Sequence, residues 1–338
     1  MSARFHVDYI AQSPQALLAQ PDVLAVFGFG DAAPARLDDP RYLHIALQPH
    51  HGAAPCEAWR VGGPVHSGRD GDIAWSSDGK LAFGVIEVDE LAHANGDDPT
   101  GVVGAAAHAY ARLTAFVGAS TTPHLLRIWN YIDAITQGDG DNERYRQFCV
   151  GRARGLDAFD TRRLPAATAI GRCDEARILQ VYWLAAAAPG SPLENPRQVS
   201  AWRYPREYGP QPPSFARAML PPTDSAMPLL LSGTASVVGH ATLHAGALLA
   251  QLKETFANFD VLLGAARERQ PALPAEFGPG TRLKVYVRDR GDMDAVAGAL
   301  QERFGDRVPR IVLHAAICRR DLAVEIDGVH GPQERRVE

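Results

Sequence analysis

The alternation of apolar and polar positions divides the chain into short blocks. GDIAWSSDGKLAFGVIEV (71–88) is two extended runs around Ser-Asp-Gly, the pattern of a β-hairpin. Residues 101–117 are Ala-rich, with apolar positions at helical spacing. The bulky alternation of HLLRIWNYID (124–133) predicts a strand. Residues 142–159 read as an amphipathic helix, and 167–172 and 176–186 as two further strands. The order then returns. LLLSGTASVVGH (229–240) is a strand broken by small residues, 247–266 a strongly periodic helix, and 281–289 a strand. A helix over 293–305 and strands over 310–318 and 322–329 complete the set. In both sets a bulky strand follows the long helix, an aromatic-containing helix comes next, and a proline (Pro165, Pro309) precedes the last two strands. This recurrence reads as an internal duplication.

Two stretches stand outside the repeat. Residues 1–65 hold apolar bursts such as VLAVFGFG (23–30) and LHIALQ (43–48), broken by Gly, Pro and Asp; they predict a small strand-rich subdomain. Residues 191–228 are rich in Pro, Tyr and Arg and carry Trp202, Tyr204, Tyr208 and Phe215. That is too aromatic for a free linker, so the segment is expected to pack on its neighbours. The expected class is α+β, with helices packed on mixed sheets. Its parts are an N-terminal subdomain (1–65), a first module (66–190), a packed connecting segment (191–228) and a second module (229–338).

Composition narrows the function classes. With 46% apolar and 22% charged residues and a net charge of −5, the chain has neither the basic surface expected of a nucleic-acid binder nor that of a membrane-surface protein. No apolar run approaches the roughly 20 residues of a membrane span. The opening MSARFHVDYIAQS lacks a basic stretch followed by an apolar one. The four cysteines, Cys56, Cys149, Cys173 and Cys318, form no CxxC pair. The expected setting is a reducing cytoplasm.

Several familiar motifs fail on inspection. His50 and His51 have only Cys56 close by in sequence as a further ligand type. Asp139, Asp141 and Glu143 resemble half a calcium loop, without the Glu at the twelfth position. GFGDAA (28–33) fits a loose dinucleotide pattern but no clear helix follows. Neither GxSxG nor a Walker A sequence occurs.

The second module resembles the reactive-intermediate deaminase (Rid, YjgF-like) superfamily through SGTAS (232–236), KVYVRD (284–289), Pro309-Arg310 and CRRDLAVEIDGV (318–329). Nearly two-thirds of the chain resembles a narrower family, the chorismatases. The matching stretches are RIWNYID (127–133), RYRQFCVGRARGLDAF (144–159), SAWRYPREYGPQPPSFARA (200–218), SGTASVVGH (232–240) and ICRRDLAVEIDGV (317–329). The resemblance implies two tandem Rid-like modules and cleavage of the enolpyruvyl ether of chorismate. It implies no metal or organic cofactor. The products would be pyruvate and 3-hydroxybenzoate, with 4-hydroxybenzoate as a second aromatic product.

Chorismate carries two carboxylates, so its site needs bidentate cationic partners, a role that suits Arg. It also needs an acid for the methylene carbon of the enol ether. By pattern alone Glu325 is an outward-facing strand acid or a buried one with a raised pKa; the resemblance selects the second and makes it the catalytic acid. By the same resemblance Arg310 is a carboxylate ligand, and Arg217 a second. Tyr208 would bond a carboxylate or the ether oxygen, and Arg127 and Arg152 are further substrate contacts. Asn130 reads as structural. Cys318 is by pattern a small buried hydrophobe. In the family its position separates branches, a cysteine accompanying the hydroxybenzoate products, and Ala235 would be a second such marker. The alternatives are a hydrolytic chorismatase releasing a dihydroxycyclohexadiene carboxylate, a Rid-like imine deaminase, and a non-catalytic small-molecule binder. A monomer or a trimer is expected, with no nucleic acid or membrane partner.

Overall fold

A computed structural model describes residues 4–156 and 160–332 of the chain. Its N-terminal part contains β1 (Phe5–Ile10), the short α1 (Pro14–Leu18), β2 (Val23–Phe29), β3 (Tyr42–Ile45) and β4 (Cys56–Val61). The first module follows with β5 (His66–Asp70), β6 (Ile73–Ser77), β7 (Leu81–Asp89), α2 (Val102–Ala119), β8 (His124–Asp133), α3 (Arg144–Leu156), β9 (Ala166–Arg172) and β10 (Ile178–Ala186). The connecting segment contributes β11 (Ser191–Leu193) and β12 (Ala218–Leu220). The second module comprises β13 (Leu229–Ala235), β14 (Val237–Val238), β15 (Ala241–Thr242), α4 (Leu248–Arg269), β16 (Thr281–Val287), α5 (Met293–Phe304), β17 (Arg310–His314), β18 (Ala316–Ile317) and β19 (Val324–His330).

The modules repeat one topology. In the first, β9-β8-β10-β7 run side by side, and in the second, β17-β16-β19-β13. Position for position, β8 and β9 are parallel, as are β16 and β17, each pair joined through one helix. The remaining neighbours are antiparallel. A third, four-stranded sheet, β1-β4-β2-β3, comes from the N-terminal part. The connecting segment does more than pack: β11 and β12 extend the second sheet, while β18 crosses over to pair with β9 of the first.

Burial explains the patterns. One face of the first sheet packs under α2 and α3, and one face of the second under α4 and α5. The opposite faces meet the N-terminal sheet in a central core containing Phe27, Trp59, Phe83, Trp129, Tyr131, Tyr182 and Tyr286. Strands buried on both faces read as nearly continuous apolar runs, as VLAVFGF does in β2. The Ser-Asp-Gly hairpin forms as the sequence predicts: Asp78 Oδ1 accepts from the amides of Lys80 and Leu81, and Gly79 adopts φ +82°. Helix α3 lies close on α2 because Gly151 and Gly155 sit against the carbonyls of Val103 and Ala107, where a Cβ would collide. The helix predicted over 142–159 begins two residues later, and its last three positions lie outside the described residues.

Candidate active site

The two modules and the connecting segment converge on a cavity of about 390 Å3. Ser232 ties them together: its Oγ donates to the carbonyl of Ala216 (2.5 Å) and accepts from the amide of Ala167 (3.0 Å). Strand β9 lines the cavity with Thr168, β13 with Gly233 and Ala235, α3 with Tyr145 and Arg152, and β19 with Glu325.

Glu325 is buried, 5% exposed. Burial, reinforced by the neighbouring Asp327 and opposed by Arg127, Arg217 and Arg319, pushes its carboxyl up to about 8. At neutral pH it therefore carries a proton. Ala235 is its backbone partner on β13. Between Leu231 and Thr234 the ladder slips by one residue, and Gly233 occupies that irregularity. A Cβ on Gly233 would run into Oε1 of Glu325 and crowd Thr168, so glycine is what leaves room for the acid.

Cys318 and Arg319 lie on the turn between β18 and β19. That turn is fixed from two sides. Arg288 donates to the carbonyls of Ile317 (3.1 Å) and Leu322 (2.7 Å) and also to that of Arg319. Gln251 of α4 bonds the carbonyl of Asp321 (2.7 Å) and the amide of Ala323 (2.8 Å). The Cys318 thiol faces Glu325 Oε2 at 3.9 Å. Burial first, then the Glu325 carboxyl, drive the thiol far above the usual cysteine range. It stays protonated and is no nucleophile.

Two arginines in the wall are buried with donors to spare. Arg152 packs near the rings of Tyr110 and Phe148, and its Nε and Nη2 have no partner. Arg217 Nη2 donates to the Val199 carbonyl and to Tyr204 Oη, both at 2.8 Å, while its Nε has no partner. Unpaired buried donors are costly, and a carboxylate is the natural acceptor for a guanidinium. Tyr208 lies at the wall beneath Arg319, whose guanidinium stands 4.1 Å from its ring centre.

The cavity thus gathers Glu325, Cys318, Arg217, Arg152, Tyr208 and Ala235 from the sequence reading. It leaves out two arginines. Arg310 is not in its wall. Arg310 closes the C-terminal end of α5, donating to the carbonyls of Gly305 (2.9 Å) and Val308 (3.0 Å) and to Gln301 Oε1 (2.5 Å). It faces a separate cleft with His50 and Asp294. The physical reason is topological. The cavity uses the α3 and β9 side of the first module, whereas Arg310 heads β17, the second module's counterpart of β9. Arg127 is wholly buried behind the cavity, its Nη2 3.3 Å from Asp327 Oδ2 and its guanidinium over the Trp129 ring.

Thr168, Tyr145, Gly233, Arg319 and Asp327 also belong to the site or its surroundings, and no motif singles them out. Signals for some were available. Tyr145, Cys149 and Arg152 fall at i, i+4 and i+7, one face of a helix, and Glu325 and Asp327 share one face of a strand.

Fold and cavity define a class: an α+β protein in which a proton-bearing carboxyl shares one pocket with unpaired arginine donors. Comparison with known proteins carries this to a family. Residues 57–185 match the family model described as chorismatase FkbO/Hyg5-like, N-terminal. A chorismatase of Streptomyces rapamycinicus is 38% identical, over 81% of this chain and 81% of its own. A 3-hydroxybenzoate synthase of Streptomyces hygroscopicus is 35% identical, over 78% of this chain and 77% of its own. The crystal structure of a chorismatase at 1.08 Å superposes with a TM-score of 0.82 at 32% identity, covering 97% of this chain and 98% of that one. This chain belongs to the chorismatase family and is an enzyme of that family. Among the described residues no helix is long and apolar enough to cross a membrane.

Proposed function

We propose that the protein cleaves chorismate to pyruvate and 3-hydroxybenzoate, with 4-hydroxybenzoate as a minor product. The observation that carries this reading is the proton-bearing Glu325 set in one cavity with the unpaired donors of Arg152 and Arg217. A substrate with two carboxylates and an enol ether matches both halves of that arrangement, and its size suits a cavity of this volume.

In this reading Arg152 and Arg217 hold the two carboxylates, with Tyr208 beside them. Glu325 gives its proton to the methylene carbon of the enolpyruvyl group. The former double bond becomes a methyl group, and positive charge develops at the ether carbon and oxygen. The ring hydroxyl then attacks the ring carbon that bears the ether. Its oxygen forms the new C–O bond, the ether C–O bond breaks, and that electron pair leaves with pyruvate as its ketone oxygen. The hydroxyl proton returns to Glu325. The ring oxide left behind isomerises to the aromatic phenol with no further gain or loss of atoms. Positioning and water exclusion matter here because the cationic intermediate reacts with any water in reach. Cys318, whose thiol faces Glu325 at 3.9 Å, stands where the family resemblance implies a cysteine in the hydroxybenzoate-forming branch, and this supports attack by the ring hydroxyl over attack by water.

The test is incubation with chorismate, with pyruvate read enzymatically and the second product separated by chromatography. One pyruvate and one hydroxybenzoate per chorismate are expected. Pyruvate with a non-aromatic diol would establish the hydrolytic reaction instead, and no pyruvate above the uncatalysed rate would overturn the assignment.

A further inference from the structure

Asp327 lies two residues beyond Glu325 on β19 and is wholly buried. Its Oδ2 accepts from Trp129 Nε1 (3.0 Å), Thr168 Oγ1 (2.7 Å) and Tyr286 Oη (3.0 Å), and Arg127 Nη2 stands 3.3 Å away. Three hydrogen bonds and the charge of Arg127, whose Nη2 itself donates to Thr168 Oγ1 (2.5 Å), thus converge on one oxygen, while Oδ1 has no partner. A carboxylate oxygen, an acceptor only, suits that set of donors. Residues i and i+2 of a strand project to the same face. Asp327 and Glu325 are therefore neighbours in an interior that screens charge weakly. Thr168 links the two places, donating to Asp327 while also lining the cavity.

We propose that Asp327 and Arg127 are opposed positioning residues for the acid: the Asp327 carboxylate keeps a second negative charge from forming at Glu325, and Arg127 limits how strongly it does so. Neither lines the cavity. The proposal rests on Glu325 being the proton donor. The other groups facing Glu325 are Cys318 and Arg319 from the preceding turn, Arg217 from the connecting segment and Tyr145 from α3. Asp327 is faced by Tyr286 and Lys284 from β16, by Tyr131 and Tyr182 from β8 and β10, and by Tyr9 from β1. Lys284 is itself paired with Glu57 at 3.2 Å. Asp327 is thus an anion beside Glu325 on the same strand, and Arg127 a buried cation against Asp327.

The experiment is the pH profile of kcat for pyruvate release in the full-length protein. The acid must carry its proton, so wild-type activity is high at low pH and falls as pH rises through about 8. Asp327→Asn removes the repelling charge, so this alkaline limb moves to lower pH. Each unit of displacement lowers activity about tenfold at pH 9, while activity at pH 6 stays close to wild type. Arg127→Gln moves the limb the other way. A loss equal at every pH, or a limb that stays put, means that Asp327 only holds the fold and overturns the proposal. Should Asp327→Asn fail to fold by circular dichroism, Arg127→Gln decides alone: an upward shift supports the proposal and any other result overturns it. Retained activity in Glu325→Gln would instead remove the parent reading. An inactive Glu325→Gln with unmoved limbs in the other two variants would sink only this inference.

Discussion

Glu325 is poorly placed for stability and well placed for chemistry. Its carboxyl ionises near pH 4.5 in an unfolded chain and at about 8 in the folded one. Below pH 4.5 both states hold the proton and nothing is lost. Between 4.5 and 8 the unfolded chain releases it and the folded chain does not, so stability falls as pH rises across that window. Glu325→Gln should therefore abolish pyruvate release, by at least the ~10²–10⁴-fold typical of a lost general acid. It should also stabilise the fold at pH 8 by a few kcal/mol, on the order of the pKa displacement, with little change at pH 4. Denaturant melts at both pH values check this. Cys318→Ala tests the neighbouring wall. Removing the thiol opens space on the order of one water, about 30 Å3, beside a cationic intermediate. The product mixture should shift from hydroxybenzoate towards the diol while chorismate consumption continues; an unchanged mixture would leave Cys318 as packing alone. Both residues were legible through motif resemblance. Asp327 was not, because a second carboxyl on a buried strand face makes sense only once Trp129, Thr168, Tyr286 and Arg127 are seen around it.

At the scale of elements, the site depends on one irregular strand. The slip in β13 sets Gly233 against the Glu325 carboxyl, and Ser232 of the same stretch fastens β9 and the connecting segment. Gly233→Ala should leave the overall fold intact, since the intruding methyl meets a side-chain tip rather than backbone. The acid has to move, however, and displacement of about 1 Å can cost on the order of 100-fold in rate. A drop in kcat with an unchanged circular dichroism spectrum is the expected result; wild-type kcat would show that the carboxyl has room to turn. Periodicity located the elements well: the 124–133 strand matches β8, and the 247–266 helix corresponds to α4, which starts one residue later and runs three residues further. It could not locate β18, a two-residue strand that leaves its own module's sheet for the other. Nor could it tell which module's helix would wall the cavity, which is why Arg310 was misplaced.

At the scale of the whole molecule, a buried polar network joins the three large sheets. Lys284 of β16 pairs with Glu57 of β4 and donates to Tyr182 of β10 (3.2 Å); Tyr182, Tyr131 and Tyr286 continue it to Asp327. Deleting one partner strands the other. Glu57→Ala leaves the Lys284 ammonium buried and unmatched, at a cost of about 3–5 kcal/mol, and chemical denaturation should register that loss. The sequence showed two repeats and a smaller third part without any sign of this network, whose directly bonded partners lie up to 227 residues apart. The cavity itself spans both repeats and the segment between them, and this has a thermal consequence. Any small dicarboxylate that fills it touches both repeats and the connecting segment at once and binds only when they are docked. Occupancy should then raise the melting temperature of the molecule as one unit, the gain reaching about 2.7 kcal/mol at a hundred times Kd. A heat-shift screen would thus report ligands for this pocket without any turnover.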